Sequence, residues 1–372
     1  TYKTVKMSLL EKATLITTPT AHSNGTLHSI KGGAVADFDV VRGSAATRVN
    51  AEGLIEDISI LSEQITNGDF SNGSTDWTLQ LGWSVLDGKV TTDGTIGRSV
   101  YQDAATTIGK TYKYSFDVLD SGVGVIDGRF RNGFGGSVLN FSSEGTYTGT
   151  FVSYDTQAGF AVLSGNTASF SITNISVKEI IDATNIPRID YTTGEGVVLL
   201  EPQSTNLIPY SEDFSQWLIQ DSAAVSSPTF VSPSGENNAN LIDLSTDTNA
   251  RVVLGFGSES TEYTLSVYLK KHEGDIEGTF PLAYYDGANY IKTYVNLSDK
   301  WQRFSLTFTN PSGSTFGYGL SRRGTTSDET LTRCYAYGAQ LEALPYSTSY
   351  IPTEGAIATR LADVVTGAGD AT

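Results

Sequence analysis

Two stretches far apart in the chain carry the same alternation, YKYSFDV from Tyr112 and YTLSVYL from Tyr263. In the first, Tyr112, Tyr114, Phe116 and Val118 fall on one side of an extended chain, and Lys113, Ser115 and Asp117 fall on the other. Period two with aromatic and β-branched residues on one side describes a strand buried on one face only. The surroundings repeat as well. Residues 294–308 match 138–151 in position and alternation, and residues 331–341 stand where 169–180 stood. The openings ITNGDFSNGSTDW, from Ile65, and NLIPYSEDFSQW, from Asn206, echo each other. Repetition of a whole plan predicts tandem modules of one architecture.

Between these landmarks lie many short strand-like runs separated by Gly-rich turns, the pattern of a β-sandwich. The 38 glycines favour turns over long helices, and the 19 Tyr and 16 Phe suit pleated, half-buried surfaces. A chain of 372 residues exceeds one ordinary core, so more than one domain is required. The fold class is therefore all-β: an N-terminal β-rich segment followed by two tandem sandwich modules. The expected boundaries are 1–64 for the N-terminal segment, 65–184 and 205–344 for the modules, and 345–372 for an extended tail. Within the first segment, residues 9–14 suit a short helical turn. Asn24-Gly25 is a hairpin signal, and Thr47–Val49 should pair with the run that follows Gly53. The stretch PRIDYTTGEGVVLLEP is expected beside ATRVNAEGLIE, so that 185–204 completes the N-terminal segment across an inserted module.

The net charge of −17 argues against nucleic acid and anionic membrane as partners. Residues 184–372 hold 22 acidic and 11 basic side chains, so most of the excess lies in the second half, as a solubilising surface field. No run of about 18 apolar residues is present, which excludes membrane insertion by a helix. The N-terminus shows no charged and apolar regions of a signal peptide. Cys334 is the only cysteine, so no disulfide forms within one chain, and its alternating context reads as a buried, inert thiol.

No catalytic set emerges. Asp37 with Asp39, and Glu273, Asp275 and Glu277, have the spacing of paired carboxylates, but they read as solvated acids on turns or in a structural stretch. His22, His28 and His272 match no metal-ligand spacing, and no G-x-S-x-G elbow occurs. A structural calcium would use hard oxygens at the module openings: Asn67 and Asp69 in the first, Glu212 and Asp213 in the second. An Asx-turn explains the same residues. For sugar binding, LAYYDGANYIK offers Tyr284, Tyr285 and Tyr290 as stacking platforms with Asp286 and Asn289 as hydrogen-bonding groups. The competing reading is a hairpin turning at Asp286-Gly287, with tyrosines packed across the strands. Trp77, Trp83, Trp217 and Trp301 read as core.

The order LITTPTAHSNGTLHSI, DFDVVRGSAATRVNAEGLIE, PRIDYTTGEGVVLLEPQSTNLIPYSEDFSQW, with ATRLADVVTGAGD near the end, resembles phage and prophage virion proteins of tail-fibre or head-fibre type. The module from Ile65, with its NGDF opening and ISVKEI ending, resembles jelly-roll carbohydrate-binding modules. Together the resemblances imply two tandem jelly-roll modules on a virion structural protein, a fibre or capsid decoration subunit. They also imply other virion proteins as partners, a homo-oligomer with a trimer favoured, host-surface glycans as ligands, and a virion or extracellular location. The alternative is a secreted glycan-binding adhesin or the non-catalytic part of a carbohydrate-active enzyme.

Overall fold

The computed structural model describes residues 16–23, 26–31, 34–35, 38–120, 126–133, 137–163, 169–182, 184–256, 262–309, 316–324 and 327–367. Among them every element is a strand except the 3-10 turn Phe214–Gln216. Residues 9–14, Asn24, Gly25 and Asp37 lie outside the described residues; the strands Ile16–Ser23 and Thr26–Lys31 on either side of Asn24-Gly25 pair antiparallel. The chain divides into two units, Ser59–Asp182, and Thr1–Ile58 together with Ala183–Thr372.

In the unit Ser59–Asp182 one sheet runs Gly145–Val152, Thr111–Asp120, Phe170–Ile180, Lys89–Thr92, Trp83–Leu86, with Ile60–Glu63 also against Phe170–Ile180. The other runs Ser137–Phe141, Gly128–Asn132, Ala158–Val162, Ser99–Gln102, Thr78–Leu79. From Lys89–Thr92 onward the chain changes sheet at every step but one, which is jelly-roll order. The alternation explains the core. Phe116 is enclosed by the rings of Tyr114, Phe130, Phe141, Tyr147 and Phe160, with centroids 4.9–6.0 Å away and drawn from both sheets. Ring contacts of this kind add about 0.5–1.5 kcal/mol each beyond burial. The unit starts earlier than the Ile65 opening suggested. Glu63 pairs with Lys178, and its carboxylate accepts the Val177 N–H at 2.7 Å, so Ile60–Glu63 is a strand of the sandwich.

The second unit repeats this order strand for strand. One sheet runs Gln302–Thr309, Glu262–Lys271, Arg333–Glu342, Asn237–Asp243, Ala224–Val225; the other runs Tyr290–Leu297, Gly278–Tyr285, Phe316–Ser321, Arg251–Phe256, Leu218–Gln220. Even the irregularity recurs. Ser115 pairs with Ser176 but Asp117 with Thr173, and Ser266 pairs with Gln340 but Tyr268 with Tyr337. Each final strand thus holds one extra residue, accommodated by positive φ at Asn174 (52°) and Gly338 (61°). The openings share one device too. Asp69 accepts the N–H and hydroxyl of Ser71, and Asp213 accepts those of Ser215. The intervening Phe70 or Phe214 is buried beside Trp77 or Trp217, whose indole N–H donates to the Asn67 or Tyr210 carbonyl at 3.0 Å.

What precedes and follows the second sandwich forms a collar in the same unit. Thr47–Val49 pairs with Ile55–Asp57, Arg188–Asp190 with Val197–Leu199, and Ser204–Asn206 with Ala358–Arg360. Val49 receives the Tyr191 N–H at 3.0 Å and donates its own to Asp190 at 2.9 Å. Asn206 is fully buried with all four amide bonds made, donating to the Ala339 and Ile351 carbonyls and accepting from Ile208 and Leu341.

The segment after Leu344 is not an extended tail. Val364–Thr366 pairs with Phe38–Val41, and Asp363 enters a buried ion cluster with Arg42 (2.9 Å), Arg188 and Arg360 (3.8 Å). Glu201 completes the cluster, 2.9 Å from Arg188 and 3.4 Å from Arg360. Three guanidinium groups cannot stay in the interior without acids, so the C-terminal segment is drawn back to supply one. Burial nonetheless pushes the Arg42 and Arg360 guanidinium groups below their ordinary range.

The collar also covers one sheet face of the second sandwich, where Tyr268, Tyr337 and Tyr350 pack with Val49 and Ile55. In the inserted sandwich the positions of Tyr268 and Tyr337 are Asp117 and Thr173, by the shared register. The polar pair suits a face left to water.

Candidate functional site

The hairpin of Gly278–Tyr285 and Tyr290–Leu297 brings the five residues expected to bind sugar to one sheet edge, but not to one face. Tyr284 points inward and stacks on Phe308, with centroids 4.7 Å apart and planes at 8°. Tyr285, its neighbour, points outward against Tyr290 at 5.0 Å. Asp286 accepts the Ala288 and Asn289 N–H groups at 2.9 and 2.7 Å, which hold its carboxyl below the usual range. Asp286 and Asn289 therefore build the turn. Tyr284 is core, and the outward pair Tyr285 and Tyr290 remains.

That pair borders a floor of small residues on the outer face of the sheet. Gly255 lies opposite Gly317 and Gly317 opposite Tyr285; Val253 lies opposite Gly319, and Gly319 opposite Ala283. At Gly319 (φ 148°) a Cβ would come within 2.4 Å of the Val252 carbonyl oxygen, so the strands close here only with glycine. Arg251 starts on the far side of the floor and its guanidinium carbon lies 5.6 Å from the Tyr290 ring centroid. The strands that bear them are separated by two others, about 4.8 Å apart each, so the two side chains meet above the glycines. Asp221 ion-pairs with Arg251, and the Arg323 guanidinium lies 5.4 Å from the same ring. Burial, the largest influence, pushes the Arg251 guanidinium down; Tyr290 opposes this and Arg323 adds to it. Beside the floor Lys292, almost fully enclosed, donates to the Arg322 carbonyl at 2.8 Å and pairs with Glu329 at 3.5 Å. The arrangement joins tyrosine rings, guanidinium donors and the Asp221 carboxylate over glycine, alanine and Val253, with Arg251 itself largely buried there.

Arg251, Arg323 and Asp221 escaped the sequence reading. Gly255, together with Gly317 and Gly319 in FGYGLS, was the available signal, since glycines inside a strand mark close approach of another group.

The four oxygen-bearing residues considered for calcium have protein partners. Asn67 accepts from Asn72 and donates to the Gly73 and Thr75 carbonyls; Asp69 and Asp213 hold the serines described above. Glu212 accepts from Asn238 at 2.9 Å, Tyr337 at 3.1 Å and Tyr350 at 2.9 Å. Among the described residues no three His, Cys, Asp or Glu side chains gather as a metal site. Asp275 is engaged by Arg333 at 2.7 Å, and the thiol of the buried Cys334 is pushed up by burial. Trp77, Trp83 and Trp217 are buried, while Trp301 is half-buried and donates to the Val231 carbonyl. A cavity of about 260 Å³ beneath the collar is lined by Asp190, Tyr268, Arg303 and Thr348 among others. Its polar groups hold the collar itself: Asp190 accepts from Val49 and Thr192, and Arg303 donates to Thr348 and Ser266.

Strand order and duplicated core define a protein of two jelly-roll β-sandwiches, one inserted in the unit that contains the other. No protein-family model matches the chain, and no curated protein does. Among solved structures it is similar to the CBM22-1-CBM22-2 tandem domain of Xyn10C from Paenibacillus barcinonensis, with 13% identity, 77% of this chain and 98% of that one covered, and a TM-score of 0.30. The tandem CBM51 modules of Sp3GH98, a family 98 glycoside hydrolase from Streptococcus pneumoniae SP3-BS71, share 8% identity over 82% of this chain and 93% of theirs, at 0.20. The Cry4Aa toxin of Bacillus thuringiensis shares 9% over 84% of this chain and 52% of its own, at 0.25. At these scores nothing about ligand or activity passes from them to this chain.

Proposed function

We propose that this is a non-catalytic glycan-binding protein, and that the outer face of the sheet from Leu218–Gln220 to Tyr290–Leu297 is its binding surface. One observation carries the reading: Arg251, paired with Asp221, meets Tyr290 above a floor of glycine and alanine. A sugar ring presents an apolar C–H face and a rim of hydroxyls, which need both donors and acceptors. A tyrosine edge beside a guanidinium–carboxylate pair offers all three. The opposite face of this sandwich is occupied by the collar. The setting we propose is a virion fibre or decoration subunit outside the cell, with the collar as the attachment and oligomerisation part. The support for that setting is the resemblance of the collar's sequence segments alone, so it stands second to the binding role.

The test is a glycan array on the full chain, followed by calorimetric titration of the best neutral oligosaccharide. Tyr290→Ala and Arg251→Gln should each weaken binding at least tenfold. Binding unaffected by both, with the melting temperature preserved, would remove the face from consideration.

A further inference from the structure

The inserted sandwich has the same sheet face, built from different residues. Gly159 occupies the position of Gly319, because Val100 pairs with Phe160 as Val252 pairs with Leu320. A Cβ on Gly159 would come within 2.2 Å of the Val100 carbonyl oxygen, so glycine is again required. Arg131 lies opposite Gly159 on one side and Tyr101 on the other. The Arg131 guanidinium reaches across the glycine strand to donate to Ser99 Oγ at 2.7 Å, with its carbon 6.0 Å from the Tyr101 ring centroid. Ser99 stands where Arg251 stands in the other module. Two sequence routes thus lay a guanidinium across the equivalent glycine strand, from opposite sides.

The chemistry differs in one respect. Arg251 has Asp221 beside it, whereas the inserted module adds a second arginine, Arg129, two residues before Arg131 on the same face. Phe130 between them is buried in the core, which turns both arginines outward, about 7 Å apart along the strand. The Arg129 side chain makes no hydrogen bond or ion pair among the described residues, and its Nε is enclosed without a partner. Asp127, the nearest acid in sequence, forms no ion pair with Arg129 among the described residues, and Asp155 has its Oδ1 engaged by the Thr156 and Gln157 N–H groups. A half-buried guanidinium with no side-chain partner among the described residues, in a protein of net charge −17, is a ready seat for an anion.

We propose that Arg129 and Arg131, with Tyr101 as the flanking ring, form a binding site for an anionic saccharide, whose carboxylate or sulfate ester seats on Arg129. This rests on the reading of that sheet face as a ligand surface, but it concerns the inserted module, so its failure is separable from failure at Tyr290. Planar guanidinium groups bind carboxylate and sulfate oxygens in bidentate fashion, which selects charged sugars over neutral ones.

The test is affinity electrophoresis of the full chain through gels holding polygalacturonate, dextran sulfate or dextran. Retardation by polygalacturonate alone assigns a uronate carboxylate, by dextran sulfate alone a sulfate ester, and by both a site for either; all three support the proposal. Arg129→Gln should weaken retardation at least fivefold, Arg129→Lys should restore part of it, and higher salt should weaken it in the unmodified chain. Tyr290→Ala should leave it unchanged. Absence of retardation by both polyanions, equal retardation of the Tyr290→Ala chain by dextran, or retardation that survives Arg129→Gln would overturn the proposal.

Discussion

Replacement of Asp363 by alanine tests how the collar is closed. Its side chain is 1% exposed, and it contacts Arg42, Arg188 and Arg360, whose side chains are themselves 0–1% exposed. It also accepts the Glu201 N–H at 3.0 Å. Without it Glu201 remains against Arg188 and Arg360, and Arg42 loses the carboxylate it hydrogen-bonds. Removing one partner of a buried ion pair costs about 3–5 kcal/mol, because the remaining charge stays desolvated. A unit of this size loses about 2–4 °C of melting temperature per kcal/mol, so the transition of the unit holding residues 183–372 should fall by about 10 °C. Differential scanning calorimetry reads this directly, and the inserted sandwich, which supplies no residue to the cluster, should keep its own heat absorption. The exposed strand residue Thr366, changed to alanine, serves as the control. A loss under about 1 kcal/mol for Asp363→Ala would refute the idea that this cluster anchors the C-terminal segment.

Three further outcomes are expected. Asp69→Ala and Asp213→Ala each remove an acceptor for a serine N–H and hydroxyl at a module opening, and should cost about 1 kcal/mol in urea denaturation, the size of a lost cap. The phenols of Tyr337 and Tyr350 are pushed well up by burial first and by Glu212 next. Their folded values exceed the unfolded value near 10, so their contribution to stability is full below about pH 10 and lost as pH rises through the folded values. Absorbance titration should accordingly show these two phenols ionising only with unfolding. Because Asn67, Asp69, Glu212 and Asp213 are held by protein donors, a chelator should leave the melting temperature within about 1 °C of its value in calcium.

Much of the architecture was legible because burial on one side imprints period two. YKYSFDV and YTLSVYL predicted paired central strands, and these strands occupy equivalent places in two sheets of identical order. The alternation also required one of Tyr284 and Tyr285 to face outward. Which one depends on register with Phe280 and Leu282, whose burial is a tertiary fact. The return of the C-terminal segment left no such imprint. Asp363 meets Arg42 across 321 positions of sequence, and a single ion pair has no period to detect. The ADVV run is short and follows a turn-rich stretch, so its strand with Phe38–Val41 could not be inferred from composition. The crossing of Arg251 over the glycines was hidden for a related reason. A long side chain that spans neighbouring strands is set by sheet order, and only the glycines that make room for it show in the sequence.

Whether the glycine-floored sheet face of the second sandwich binds a saccharide is decided by a crystal structure of the full chain with its best neutral oligosaccharide. Sugar density is expected on this face, with hydroxyls within hydrogen-bonding distance of Arg251 or Asp221 and a ring against Tyr290. Sugar bound at the loop ends or beneath the collar, with this face bare, would contradict it.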